Sequence, residues 1–268
     1  MSVDVVKACR VKSHVELADH DPGSTFGWSK KAARAELADV LTDIAGLQER
    51  LFAGKSAALL VVLQAIDAGG KDGTIREVFR SLNPAGIDVE SFGVPSEEEQ
   101  SHDYLWRIHQ RAPAKGRIGI FNRSHYEDVL VVRVKGFAPE HVWRRRFNHI
   151  RDFERMLCDE GTHVVKLYLN VSKEEQRARL QDRVDDPTER WKFRRGDLDD
   201  RTLWADYQVA FEEALRETTR PKAPWYVVPG DHKWVRNLVV ARIVQHHLIE
   251  IDPQYPPAED GVEGIVVE

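Results

Sequence analysis

The stretch from Ala57 to Ile66 is apolar at every position except Gln64, and Asp67-Ala68-Gly69-Gly70-Lys71-Asp72-Gly73-Thr74 follows it without a break. This junction constrains the fold more than any other part of the chain. An apolar run without alternation reads as a strand buried on both faces, as in a parallel sheet. The glycines after it allow successive backbone N–H groups to turn inward, and Ile75–Phe79 reads as the helix that follows. Strand, glycine-rich loop and helix N-terminus in that order make a phosphate cradle, with Lys71 able to put a full charge on a phosphoryl group. The usual pattern is G-x-x-x-x-G-K-[ST], and the chain departs from it twice. Ala65 stands where the first glycine belongs, and Asp72 where a metal-binding hydroxyl belongs. A ligand-free turn is the plainer reading, but the buried strand before it and the helix after it favour the cradle. Asp67 and Asp72 add negative charge there, which is reasonable only where Mg²⁺ or Lys71 offsets it.

The strand–loop–helix unit recurs along the chain. Ala33, Leu37, Val40, Leu41, Ile44, Leu47 and Leu51 repeat at helical spacing, which predicts a helix ending near Gly54. Further strands are expected at Ile87–Phe92, Arg117–Phe121, His163–Val171 and Trp225–Val228. Helices are expected at Glu98–Arg111, Pro139–Glu160, Ser172–Val184, Arg201–Thr218 and Trp234–Ile251. Ser172 with Glu175 three residues on forms a capping signature. Asp185–Asp200 reads as a charged loop. Alternation of this kind predicts a parallel five-stranded sheet with helices on both faces. No linker divides the chain. The expected organisation is an N-terminal extension over residues 1–29, a kinase-like P-loop domain over 30–252 and a mobile tail over 253–268.

Composition narrows the function classes. The 268 residues carry a net charge of −5, against general attraction to nucleic acid or an anionic membrane. Local basic clusters still occur at Arg144–Arg146 and Lys192–Arg195, so a polyanion could meet a basic surface on an acidic protein. Two cysteines, Cys9 and Cys158, form no disulfide framework or zinc set. No segment has signal-peptide character or the length to span a bilayer, which makes the cytoplasm the expected compartment.

A second polar cluster, Phe121-Asn122-Arg123-Ser124-His125-Tyr126-Glu127-Asp128-Val129-Leu130, follows the third strand. In doubly wound sheets ligands bind at the carboxyl ends of the strands, beside the phosphate loop. Arg123 suits phosphate oxygens, and Glu127 or Asp128 suits Mg²⁺ or an acceptor. Read alone, the cluster fits equally well as a helix N-terminus carrying stabilising acids.

Taken with Arg190-Trp191-Lys192-Phe193, Leu203–Tyr207 and Ala223–Pro229, the GGKDGT and FNRSHYEDVL strings resemble the polyphosphate kinase type 2 family from about residue 10 to 252. The resemblance implies a thymidylate-kinase-like P-loop domain with a helical lid at about 185–205. It implies Mg²⁺-dependent phosphoryl transfer, with Mn²⁺ as a substitute, between inorganic polyphosphate and a nucleotide. AMP, ADP or GDP would be the acceptor, and the reaction that makes ATP from ADP would be reversible. The strings are similar to the branch that handles both AMP and ADP. Asp67, Glu127 and Asp128 would serve metal and acceptor phosphate, while Lys71, Arg123 and Arg183 would steady the transferred group. Ala68–Thr74, Asn122, Lys192 and Arg194 would bind phosphate or nucleotide. A homodimer or homotetramer is implied, with neither nucleic acid nor membrane as partner.

The string Arg190–Arg195 interleaves cations with aromatics. A mobile loop of that kind would exclude water from an activated phosphate, although a solvated basic loop with its aromatics in the core has the same pattern. At least one of Arg144–Arg146 is expected to line a polyphosphate channel, the other readings being a solvated face or a subunit contact. His102, His109, His246 and His247 are expected to have no catalytic role, since this chemistry rests on positioning and charge neutralisation. The same fold would also serve an ATP-dependent nucleotide or nucleoside kinase, or a nucleotide-binding module without turnover.

Overall fold

The computed structural model describes residues 3–267. Its sheet is wholly parallel, in the order β2-β3-β1-β4-β5. The strands are β1 Ala58–Gln64, β2 Ile87–Ser91, β3 Ile118–Asn122, β4 Thr162–Asn170 and β5 Trp225–Pro229. The helices are α1 Val5–Cys9, α2 Lys30–Gly54, α3 Lys71–Val78, α4 Glu97–Ser101, α5 Trp106–His109 and α6 Val131–Val134, then α7 Glu140–Asp159, α8 Lys173–Asp185, α9 Gly196–Thr202, α10 Trp204–Thr218 and α11 Lys233–Ile251.

Every residue of β1 is buried, as its unbroken apolar run requires. Alternate side chains of β1 serve two cores. Leu59, Val61 and Leu63 join Ile44 and Leu51 of α2 and Val244 of α11. Leu60 and Val62 join Phe147 and Ile150 of α7 and Phe211 of α10. Each such aliphatic or aromatic burial contributes about 1.5–3 kcal/mol, which makes the central strand hard to shift. Leu63 is in register with both Asn122 of β3 and Leu167 of β4, so the loops leaving β1 and β3 emerge side by side. The Arg123 amide donates to the Leu63 carbonyl at 3.1 Å and fixes that neighbourhood.

Several expectations need correction. The helix expected over Glu98–Arg111 is two short ones, α4 and α5, because His102 is extended and Asp103 caps the next turn through the Leu105 amide at 3.0 Å. The expected loop Asp185–Asp200 contains a 3-10 turn at Arg190–Lys192 and most of α9. Residues 3–28 are more than an extension. Val5, Cys9, Val11, Val15 and Leu17 are buried, and the Val11 amide donates to the Trp225 carbonyl at 2.9 Å. The chain after α11 remains in contact at least as far as Gln254: Pro253 is buried, and the Gln254 carbonyl packs so closely on Gly54 that a methyl there would collide with it. Met1, Ser2 and Glu268 lie outside the described residues. Among those described, no helix is long and apolar enough to cross a membrane.

Candidate active site

The loop after β1 closes by a specific exchange of space. A methyl on Gly69 would strike the Ala65 methyl, so Gly69 makes room for the residue that departs from the usual pattern. Gly70 adopts φ +97° and caps α3, and Ala68 is also left-handed at φ +59°. Lys71 is buried at the floor of the loop, with Nζ donating to the Ala65 carbonyl at 3.1 Å. Burial, with the charge of Arg123, pushes its pKa down against Asp67, Glu127 and Asp72. Asp72 is held by Asn122, whose Nδ2 donates to Oδ1 at 2.6 Å. That carboxylate also lies in the first turn of α3, where the helix dipole favours it.

The turn after β3 meets this loop. Arg123, in the left-handed region at φ +63°, donates from Nη2 to Asp67 Oδ1 at 2.6 Å. Burial works against its charge, but Glu127 and Asp67 outweigh burial and raise its pKa. Burial raises the pKa of Glu127 despite Arg123 and Lys71, and the nearby Asp67 acts in the same direction as burial. The Gln64 carboxamide, in the orientation that satisfies both of its ends, donates to Glu127 at 2.9 Å and accepts from Ser124. Asp128 is paired with a different cation, accepting from Arg146 Nη1 at 2.8 Å. Two adjacent carboxylates, Asp67 and Glu127, therefore stand among cations. Among the described residues no three His, Cys, Asp or Glu side chains gather as a metal-binding group. Two carboxylates fit a magnesium ion whose other ligands are phosphate oxygens and water.

These residues line one cleft of about 1530 Å³. Asp67 to Gly73, Asn122, Arg123, Glu127, Asp128, Arg183, Lys192 and Arg194 all border it. Thr74 does not. Its side chain is buried and its hydroxyl donates to the Gly70 carbonyl at 3.0 Å, which ties it to the loop from within. Lys192 pairs with Glu189 and stacks over Trp191, while Arg183 reaches Asp197 at 3.8 Å. Trp191 is 77% exposed and Phe193 half-buried, so neither aromatic of this loop is fully in the core. Across the mouth, Lys135 pairs with Asp200 of α9 at 2.7 Å, and the Tyr207 hydroxyl donates to the same carboxylate at 3.2 Å. The triple arginine does not line the cleft: Arg144 pairs with Glu140 and Glu213, and Arg146 with Asp128.

Sequence reasoning missed the support behind the phosphate loop. Arg179 donates to the carbonyls of Ala68 at 3.2 Å and Gly230 at 2.6 Å, tying the loop to the turn after β5. Gln176 donates to the Asp67 carbonyl at 3.1 Å. A signal was present, because Gln176, Arg179 and Arg183 share one face of α8 at spacings of three and four. Arg107, buried and donating to the Gly93 carbonyl at 3.0 Å, and Arg236 of α11 carry no such signal.

The model of the polyphosphate kinase 2 family matches residues 27–256. The chain is 55% identical over 250 residues to an AMP/ADP-polyphosphate phosphotransferase of Meiothermus ruber, covering 93% of this chain and 94% of that one. It is 41% identical to an ADP-polyphosphate phosphotransferase of Rhodopseudomonas palustris, covering 80% and 78% of the two chains. The crystal structure of polyphosphate kinase 2 from Arthrobacter aurescens superposes with a TM-score of 0.93 at 42% identity, covering 96% of this chain and 93% of that one. The motifs at Asp67–Thr74 and Phe121–Leu130, the parallel sheet that brings them together and the match across residues 27–256 have one common explanation: the chain belongs to the polyphosphate kinase 2 family.

Proposed function

We propose that the protein transfers a phosphoryl group from inorganic polyphosphate to AMP and to ADP, reversibly, forming ADP and ATP. One observation carries the reading: the two family motifs meet in a single cleft, where Arg123 bonds Asp67 at 2.6 Å beside Lys71 and Glu127. An oxygen of the acceptor phosphate attacks the terminal phosphorus of the donor. The P–O bond to the rest of the chain breaks, and a polyphosphate one unit shorter leaves with the electron pair. No covalent enzyme intermediate is needed. Lys71 and Arg123 hold the transferred group and offset the charge of two anions brought together. Arg183, on the helix preceding the lid, adds a cation from the other side. Asp67 and Glu127 would hold a magnesium ion, which would supply further charge neutralisation. Asp128, already neutralised by Arg146, orients the turn that presents Glu127. Residues of about 185–205 act as the lid, keeping water from the activated phosphate. A homodimer or homotetramer in the cytoplasm completes the proposal.

The test is incubation with Mg²⁺, long-chain polyphosphate and AMP or ADP in turn, with nucleotides followed by chromatography. ADP and then ATP should form from AMP, and nothing should form without polyphosphate. Transfer from ATP alone would make the protein an ordinary nucleotide kinase on the same fold.

A further inference from the structure

Arg123 and Glu127 border the cleft, but His125 and Tyr126 between them do not, and both are fully buried. Both reach the same carboxylate oxygen. Glu154 Oε1, on α7, accepts from the Tyr126 hydroxyl at 2.7 Å and lies 3.3 Å from His125 Nε2. The other oxygen of Glu154 pairs with Lys166 of β4, which also donates to the Thr218 carbonyl at the end of α10. Burial works against the charge of Glu154, but Lys166 and then His125 keep it ionised. An ionised carboxylate only accepts, so His125 carries its proton on Nε2. His125 Nδ1 has no partner among the described residues, which leaves Glu154 alone to set the angle of that ring. A buried ion pair rarely adds stability over apolar side chains of the same volume. It does add direction, which apolar packing lacks. The turn needs direction: Arg123 is left-handed and Ser124 fully extended, so the chain reverses just before the 3-10 turn His125–Asp128. Gln64 of β1 holds Ser124 and Glu127 from one side of this turn, and Glu154 holds the residues between them from another.

We infer that Glu154, held by Lys166, is a positioning residue for phosphoryl transfer: through Tyr126 and His125 it sets the angle at which the turn presents Arg123 and Glu127. The inference rests on the proposed reaction taking place at those two groups. Neither Glu154 nor Lys166 lines the cleft, so neither touches substrate. Both stand on long elements of the fold, α7 and β4, and they transmit the rigidity of those elements to a turn that makes its own bends with two unusual backbone conformations.

The experiment compares two double variants of the full chain that have the same charge and similar side-chain volume. Glu154→Leu with Lys166→Met leaves an apolar filling and no acceptor. Glu154→Gln with Lys166→Met keeps an oxygen where Tyr126 and His125 donate. With polyphosphate and ADP, the first should lose kcat by roughly 10- to 100-fold while both KM values stay within about two-fold, since misplacing a group by about 1 Å can cost about 10²-fold. The second should recover kcat to within roughly three-fold of wild type. A pair that only stabilises the fold predicts equal kcat in the two variants, and that result would overturn the inference, as would a loss expressed in KM alone. Should either variant fail to fold, Tyr126→Phe takes its place, because it keeps the Glu154–Lys166 pair and removes one of the two bonds to Oε1. A kcat lowered by roughly three- to ten-fold at unchanged KM would support the inference, and an unchanged kcat would overturn it. A wild-type protein inactive with polyphosphate removes the proposed reaction itself, a different result from equal kcat.

Discussion

Lys166 and Arg236 are both buried cations beside the sheet, yet their surroundings differ in kind. Lys166, on β4, donates to Glu154 at 2.5 Å, to the Tyr126 hydroxyl at 3.1 Å and to the Thr218 carbonyl at 2.8 Å. Glu154 also accepts from Tyr126 at 2.7 Å and faces His125 Nε2 at 3.3 Å. Burial works to raise the pKa of Glu154, but Lys166 outweighs it and holds the carboxyl below its ordinary value. All three ammonium donors are thereby used. Burial pushes the proton affinities of all three cations down, but at Lys166 the bonded Glu154 opposes it, whereas at Arg236 and Lys71 a neighbouring arginine, Arg179 or Arg123, adds to it. A group with every valence filled can hold a fold together and offers nothing to a ligand. A group left short of partners weakens the free protein and is available to one.

Three measurements test that contrast, beginning with the largest effect. Glu154→Ala leaves Lys166 buried and unpaired, and should cost about 3–5 kcal/mol in urea unfolding, the usual consequence of breaking one side of a buried pair. A loss below about 1 kcal/mol would mean that the pair has no structural weight. Lys71→Ala should lower kcat by roughly 10²–10³, the range for losing one group that stabilises transition-state charge. Its melting temperature should stay level or rise, because a depressed pKa means the charge opposes folding. A large fall in melting temperature would move Lys71 into the structural class. The smallest effect concerns His247, which is neither paired with an ammonium nor open to the cleft. It contacts the Tyr226 hydroxyl at 2.9 Å and Glu250 at 3.1 Å, and burial, with His246, Arg10 and His163, depresses its pKa to about 3. The unfolded ring takes a proton near pH 6.5, so its stabilising effect is complete above that value and is lost as pH falls towards the folded one. The slope approaches about 1.4 kcal/mol per pH unit below the unfolded pKa. His247→Gln should flatten stability against pH by that amount between about pH 6 and 5; parallel curves would refute the assignment.

The same division explains what could be read from the chain. β1 was legible because two faces of burial demand a continuous apolar run, and the phosphate loop because its glycines meet geometric demands that other residues cannot. Ser172 was legible as a cap, and its Oγ accepts from the Glu175 amide at 3.1 Å. Arg179 and Arg236 were not, since an arginine within a helix has the same local signature whether it faces water or a glycine of a distant loop. Glu154 and Lys166 were hidden for the same reason: 12 residues separate them, and only the packing of α7 against β4 turns two ordinary charges into a pair. The break at Leu203 between α9 and α10 was hidden too, because no glycine or proline marks it between Asp200 and Ala205.

The N-terminal segment has a further consequence, for the order of events during synthesis. Arg10 bridges Tyr226 in antiparallel fashion and donates to the Pro221 carbonyl across 211 residues of chain. This segment is made long before the strand it borders, so it finds its place only after β5 has been synthesised. Until then Cys9, Val11 and Leu17 have nowhere to bury and the rim of β4 is bare, so the nascent chain passes through a window in which it can stick to its neighbours. Once β5 arrives, the segment closes over an edge that would otherwise accept a foreign strand.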